Sequence, residues 1–183
     1  MSKVAVFLAD GFEEIEGLTV VDVLRRVAIE VTTVSIGSSL EVRGAHDITI
    51  SVDTMYDKLD FEEVDMLVLP GGMPGTLNLK KHAGLKSRLK TFYEQEKWIA
   101  AICAAPTVLA ELGLLDSRKA TCYPTMEKEL EKAVILQEPV VKDGHIITGR
   151  GMGAAIDFSL QLVEVLLGEE TAREVGKAIV YYD

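Results

Sequence analysis

Three short stretches, Val4–Ala9, Met66–Leu69 and Trp98–Ile102, are apolar at almost every position. A strand with one wet face alternates apolar and polar residues, whereas a strand covered on both faces does not. Unbroken runs of this kind therefore call for a parallel sheet with helices on either side. A fourth strand, Glu30–Ile36, and helical stretches near 13–27, 76–95 and 104–113 complete an alternation of strand and helix. Towards the C-terminus, Val140–Lys142 and His145–Thr148 read as a hairpin turned by Asp143-Gly144, followed by helices near 153–167 and 169–178. The pattern predicts an α/β, doubly wound sandwich with a mostly parallel central sheet and helices on both faces. No linker or internal repeat divides residues 1–183, so one domain is expected.

In such sheets a site forms beyond the carboxyl ends of the strands. That rule selects three loops: Ala9–Glu16, Pro70–Gly75 and Cys103–Pro106. In the last, a buried strand runs into Cys103, and Pro106 suits the first turn of a following helix. Flanking alanines permit a sharp bend like a nucleophile elbow, and the helix N-terminus would favour a thiolate. The residues alone leave open an inert buried thiol instead. In Ala9–Glu16, Glu13 and Glu14 read as acids serving the helix dipole. Glu16 differs, because its face continues through Val20, Val23 and Val27, so its carboxyl is a candidate for burial and a raised pKa. Pro70-Gly-Gly-Met-Pro-Gly75 is either a tight turn or a source of backbone N–H groups for an oxyanion.

Composition narrows the function classes. The chain has 19 basic and 29 acidic residues, a formal charge of −10, which argues against nucleic acid as a primary partner. The longest apolar run, Trp98–Ala105, is eight residues, too short to span a membrane, and the N-terminus lacks the layout of a secretion signal. A cytoplasmic location is expected. Cys103 and Cys122 are too few for a disulfide framework, and His46, His82 and His145 are scattered, so no metal is expected. The run Gly149-Arg-Gly-Met-Gly153 follows the last strand rather than the first and lacks the dinucleotide-binding spacing.

Taken together, Gly11-Phe-Glu-Glu-Ile-Glu16, Val68-Leu-Pro-Gly-Gly72, Ala100-Ala-Ile-Cys-Ala-Ala-Pro106 and Gly151-Met-Gly-Ala-Ala-Ile-Asp-Phe158 resemble the ThiJ/PfpI superfamily, in the branch of the parkinsonism-associated deglycase and YajL-like proteins. The resemblance runs essentially end to end. It implies a flavodoxin-like fold, a homodimer, and a cysteine-dependent enzyme that needs no cofactor. The implied substrates are reactive dicarbonyls or early glycation adducts, hence a small carbonyl compound or a glycated protein, in a role against carbonyl or oxidative stress. It assigns Cys103 as the reactive cysteine, Glu16 as a protonated acid bonded to the sulfur, and Gly71, Gly72 and Ala104 as backbone donors lining the pocket. The alternative is a redox-sensing or chaperone-like protein acting through oxidation of Cys103 without turnover. The protease-like branch carries a histidine directly after its cysteine; Ala104 stands here, which argues against a peptidase. Where some relatives place a histidine near the cysteine this chain has Tyr123, a poor base near neutral pH. Cys122 reads as a strand-packing thiol. The helix from Glu13 to Val27 is apolar around much of its girth, with Leu18, Val21 and Leu24 as candidates for a subunit contact.

Overall fold

A computed structural model describes residues 1–182. In chain order the elements are β1 (Ser2–Leu8), α1 (Glu14–Arg25), β2 (Ile29–Ser35), β3 (Glu41–Arg43), β4 (Thr49–Ser51), β5 (Thr54–Met55), β6 (Met66–Leu69), α2 (Gly75–Lys81), α3 (Ala83–Glu94), β7 (Trp98–Ile102), α4 (Pro106–Glu111), β8 (Lys119–Ala120), β9 (Val134–Ile135), β10 (Val140–Asp143), β11 (Ile146–Gly149), α5 (Ala155–Leu167) and α6 (Glu169–Ala178). Seven strands form the central sheet in the order β10-β11-β7-β6-β1-β2-β5. All its neighbours pair in parallel except β10 with β11.

The unbroken apolar runs do what their composition requires. Every residue of β6 is buried, as are Val4–Leu8 of β1 and Ile99–Ile102 of β7. Alternate side chains feed two cores, one on each face of the sheet. Val4, Val6, Leu8, Val68, Ala100 and Ile102 pack against α1, α5 and α6. Ala5, Phe7, Leu67, Leu69, Ile99 and Ala101 pack against α2, α3 and α4. The architecture is thus the expected three-layer α/β sandwich.

Several boundaries differ from the sequence reading. The helix expected over 76–95 is two helices, because the His82 ring accepts a hydrogen bond from Leu85 N–H at 3.0 Å and caps a new start. The helix expected over 104–113 runs only from Pro106 to Glu111 and ends at Gly113, whose φ of +74° is left-handed. The hairpin turns through Gly144-His145, one residue later than expected, with Gly144 at φ +59°. The small pairs β3–β4 and β8–β9 and the edge strand β5 have no counterpart in the sequence reading. Among the described residues, no helix is long and apolar enough to cross a membrane.

Candidate active site

Cys103 follows β7 in a conformation that side chains rarely adopt, with φ +65°. Such strain persists only where the surroundings hold it. Here the Cys103 N–H donates to the Gly149 carbonyl at 2.9 Å, and its carbonyl accepts from Tyr123 N–H at 2.8 Å. The bend brings the thiol out of the sheet, partly exposed, while Ala104 and Ala105 behind it are buried.

Opposite the thiol, α1 delivers Glu16, which is 0% exposed on the inner face of the helix beside Val20 and Val23. Its Oε2 accepts from Gly71 N–H at 2.8 Å. Its Oε1 has no hydrogen-bond partner among the described residues, and the Cys103 thiol lies close enough for each group to shift the other's proton affinity. Gly71 is the hinge of this meeting. A Cβ there would lie 2.7 Å from Cys103 Cβ, 2.8 Å from Glu16 Oε2 and 2.9 Å from the Ile102 carbonyl. Only glycine lets these two side chains and the Ile102 carbonyl come so close to its backbone.

Burial pushes the Glu16 carboxyl up to about 7, opposed by its bonds to Cys103 and Gly71. Burial, then the charge and hydrogen bond of Glu16, push Cys103 up to about 12, opposed by the backbone N–H groups of Ala104 and Gly72. Burial and the neighbouring carboxylate thus act against the acidifying pull expected at the start of the following helix, where the Ala104 N–H acts in the expected direction. The two groups titrate as one unit that sheds its first proton near neutrality and keeps the second. One negative charge is thus available, with Gly71 N–H waiting on the oxygen side and the Ala104 and Gly72 N–H groups on the sulfur side.

The five residues expected at the site, Cys103, Glu16, Gly71, Gly72 and Ala104, are brought together. Cys122 is not among them. It is fully buried in the opposite core, just past β8 rather than within a strand, and burial pushes its thiol up to about 11.

Two features escaped the sequence reading. Glu14, expected to serve the helix dipole, is buried and grips the loop after β3. It accepts from His46 N–H at 2.7 Å, and its other oxygen lies 2.8 Å from His46 Nδ1. Burial pushes the Glu14 carboxyl up, but the His46 ring and backbone donors outweigh it and the net shift is down. With Glu13 these residues place three potential metal-ligand atoms within 4.8 Å of one another, a grouping the scattered histidines gave no sign of. Glu14 and His46 already satisfy one another there. The second feature is α1 itself. Val21 and Leu24 are buried within the chain, so only Leu18 of the three expected contact residues is exposed, joined by Ile15 and Ile48.

The DJ-1/PfpI family profile matches residues 2–165. Protein dj-1beta of Drosophila melanogaster is 38% identical over 183 residues, covering 98% of each chain. A Schizosaccharomyces pombe protein named glutathione-independent glyoxalase DJ-1 is 30% identical over 189 residues, again covering 98% of each. Among solved structures, a mutant of a DJ-1 superfamily protein from Salmonella typhimurium superposes with a TM-score of 0.94 at 37% identity, with complete coverage of both chains.

Proposed function

The chain belongs to the DJ-1/PfpI family, and from that premise we propose that it is a cysteine-dependent, cofactor-independent enzyme acting on reactive dicarbonyls or early glycation adducts, working as a homodimer. The observation that carries this reading is the convergence of the strained Cys103 elbow, the buried Glu16 carboxyl and the backbone donors of Gly71, Gly72 and Ala104 on one point. The S. pombe relative's glyoxalase name supports the same reaction class.

In this reading the Cys103 sulfur passes its proton to the Glu16 carboxylate as it adds to the aldehyde carbon of an α-oxoaldehyde. The carbonyl oxygen takes up the displaced charge beside the amide donors and is protonated by Glu16, giving a hemithioacetal and returning Glu16 to the carboxylate. Glu16, as carboxylate, removes the hydrogen from the former aldehyde carbon, and an enediolate forms. Return of the proton to the neighbouring carbon gives an α-hydroxyacyl thioester. Water hydrolyses it to the α-hydroxy acid and frees the thiol. The aldehyde carbon is oxidised, the ketone carbon is reduced, and one water is added overall, so no external oxidant or cofactor enters. A glycation adduct reaches the same thiol through its hemiaminal, which reopens to the aldehyde. With no histidine beside the cysteine, the proton traffic falls to Glu16.

The test is lactate formation from methylglyoxal by the reduced protein without added thiol. Turnover that disappears in Cys103→Ser is expected. A fully reduced wild type that forms no lactate above the buffer rate between about pH 6 and 9, a range set by the shared proton near neutrality, refutes the proposal.

A further inference from the structure

Two stretches far apart in sequence meet the elbow through its backbone, residues 121–124 and 149–152. Tyr123 N–H donates to the Cys103 carbonyl at 2.8 Å, and the Tyr123 carbonyl is taken by Met126 N–H at 2.8 Å and by the Cys122 thiol at 3.4 Å. The backbone of Tyr123 is therefore fixed relative to the nucleophile on both sides. Its ring lies along Gly151, with Cδ2 3.5 Å from where a Cβ on that glycine would stand. Even so, Tyr123 is 47% exposed, and Met152, next to Gly151, is 50% exposed. Cys122, one residue before, is fully buried. The chain thus anchors an aromatic residue to the backbone of its nucleophile and leaves about half of it bare.

A half-exposed aromatic ring, with a half-exposed methionine in the adjoining stretch, favours flat, polarizable groups through offset stacking and sulfur–aromatic contact. It offers little to a methyl group, whose contact area is a fraction of a ring's. We propose that Tyr123, with Met152, is a specificity-determining residue that favours α-oxoaldehydes bearing a planar aromatic substituent, the arylglyoxal class, over those bearing a methyl group. The inference rests on the dicarbonyl reading of the site, and its test is chosen to separate the two.

The first measurement is the rate of Cys103 alkylation by phenacyl bromide and by bromoacetone, each divided by the rate with free cysteine, with Cys103→Ser as the blank for Cys122. The second is kcat/KM for phenylglyoxal and for methylglyoxal. Tyr123→Ala is expected to lower the aryl-to-methyl ratio in both measurements by about 2- to 10-fold, the worth of an aromatic pair. Tyr123→Phe, which keeps the ring, is expected to retain the ratio. An unchanged ratio in Tyr123→Ala, or an equal loss in Tyr123→Phe, overturns the proposal. Alkylation needs no turnover. A protein that converts neither dicarbonyl but alkylates with a ring-dependent preference therefore refutes the enzymatic reading while supporting the aromatic platform.

Discussion

Glu16 is a carboxyl that the fold obliges to share a proton. Replacing it with glutamine keeps a neutral group of the same size at the Gly71 N–H but removes the ability to accept or return a proton. Dicarbonyl turnover should then fall by about 100-fold or more, the usual worth of a positioned acid–base group, while the circular dichroism spectrum is unchanged. Wild-type turnover in Glu16→Gln would end the proton-shuttle role. Gly71→Ala tests the convergence from the other side. The added methyl meets three atoms closer than 3.0 Å, two of them side-chain atoms of the site. Overpacking of that kind costs about 1–3 kcal/mol, measurable by urea denaturation, and should also displace Glu16 from the thiol. Full stability with full activity would show that the loop yields freely. Glu16 was legible because a carboxyl on the stripe of Val20 and Val23 has nowhere else to go. The Glu14–His46 clasp was not, since its partners lie 32 residues apart and neither carries a local signal.

At the scale of elements, α1 presents two faces to two environments. Val20, Val23 and Leu24 turn inward, while Ile15 at 50% and Leu18 at 37% exposure remain outside. These two, with Ile48, Ile156 and Ile179, line a shallow groove of about 490 Å³. This is the face proposed to meet a second copy. Leu18→Asp should weaken association, raising the dimer dissociation constant by about 10-fold or more given the burial lost by one leucine. Sedimentation across micromolar concentrations reads the outcome, and an unaltered dimer would place the interface elsewhere. The parallel sheet and its two-sided core could be read in advance because β1, β6 and β7 are apolar without interruption. The break at His82 could not. Its cap is an imidazole nitrogen, and its ring is held against Tyr56 at 4.4 Å between centroids, contacts that neither glycine nor proline announces. The hairpin β3–β4 was missed for a related reason: three-residue strands carry too few positions to show alternation.

For the whole molecule, the raised Glu16 pKa fixes the sign of one contribution to pH dependence. The folded chain binds this proton up to about 7, whereas the unfolded carboxyl releases it near 4.5. Across that window the native state holds more protons, so this contribution to stability falls as pH rises. The integrated effect is up to about 3 kcal/mol, with Cys103 neutral throughout. Denaturation of wild type and Glu16→Gln at pH 5 and pH 7.5 should show wild type losing stability relative to the variant at the higher pH. Parallel pH profiles would mean that Glu16 ionises as an ordinary carboxyl. The sheet sets a further condition on the chain as a redox object. Cys103 packs with the core on one side of it, and Cys122 lies within the core on the other. Cys122 is fully buried and its thiol donates to the Tyr123 carbonyl, so it is poorly placed to resolve an oxidised Cys103. The Cys103 sulfenic acid must be rescued by a thiol arriving from solution or go on to the irreversible acids, which ties the lifetime of the active protein to the reducing capacity of its surroundings.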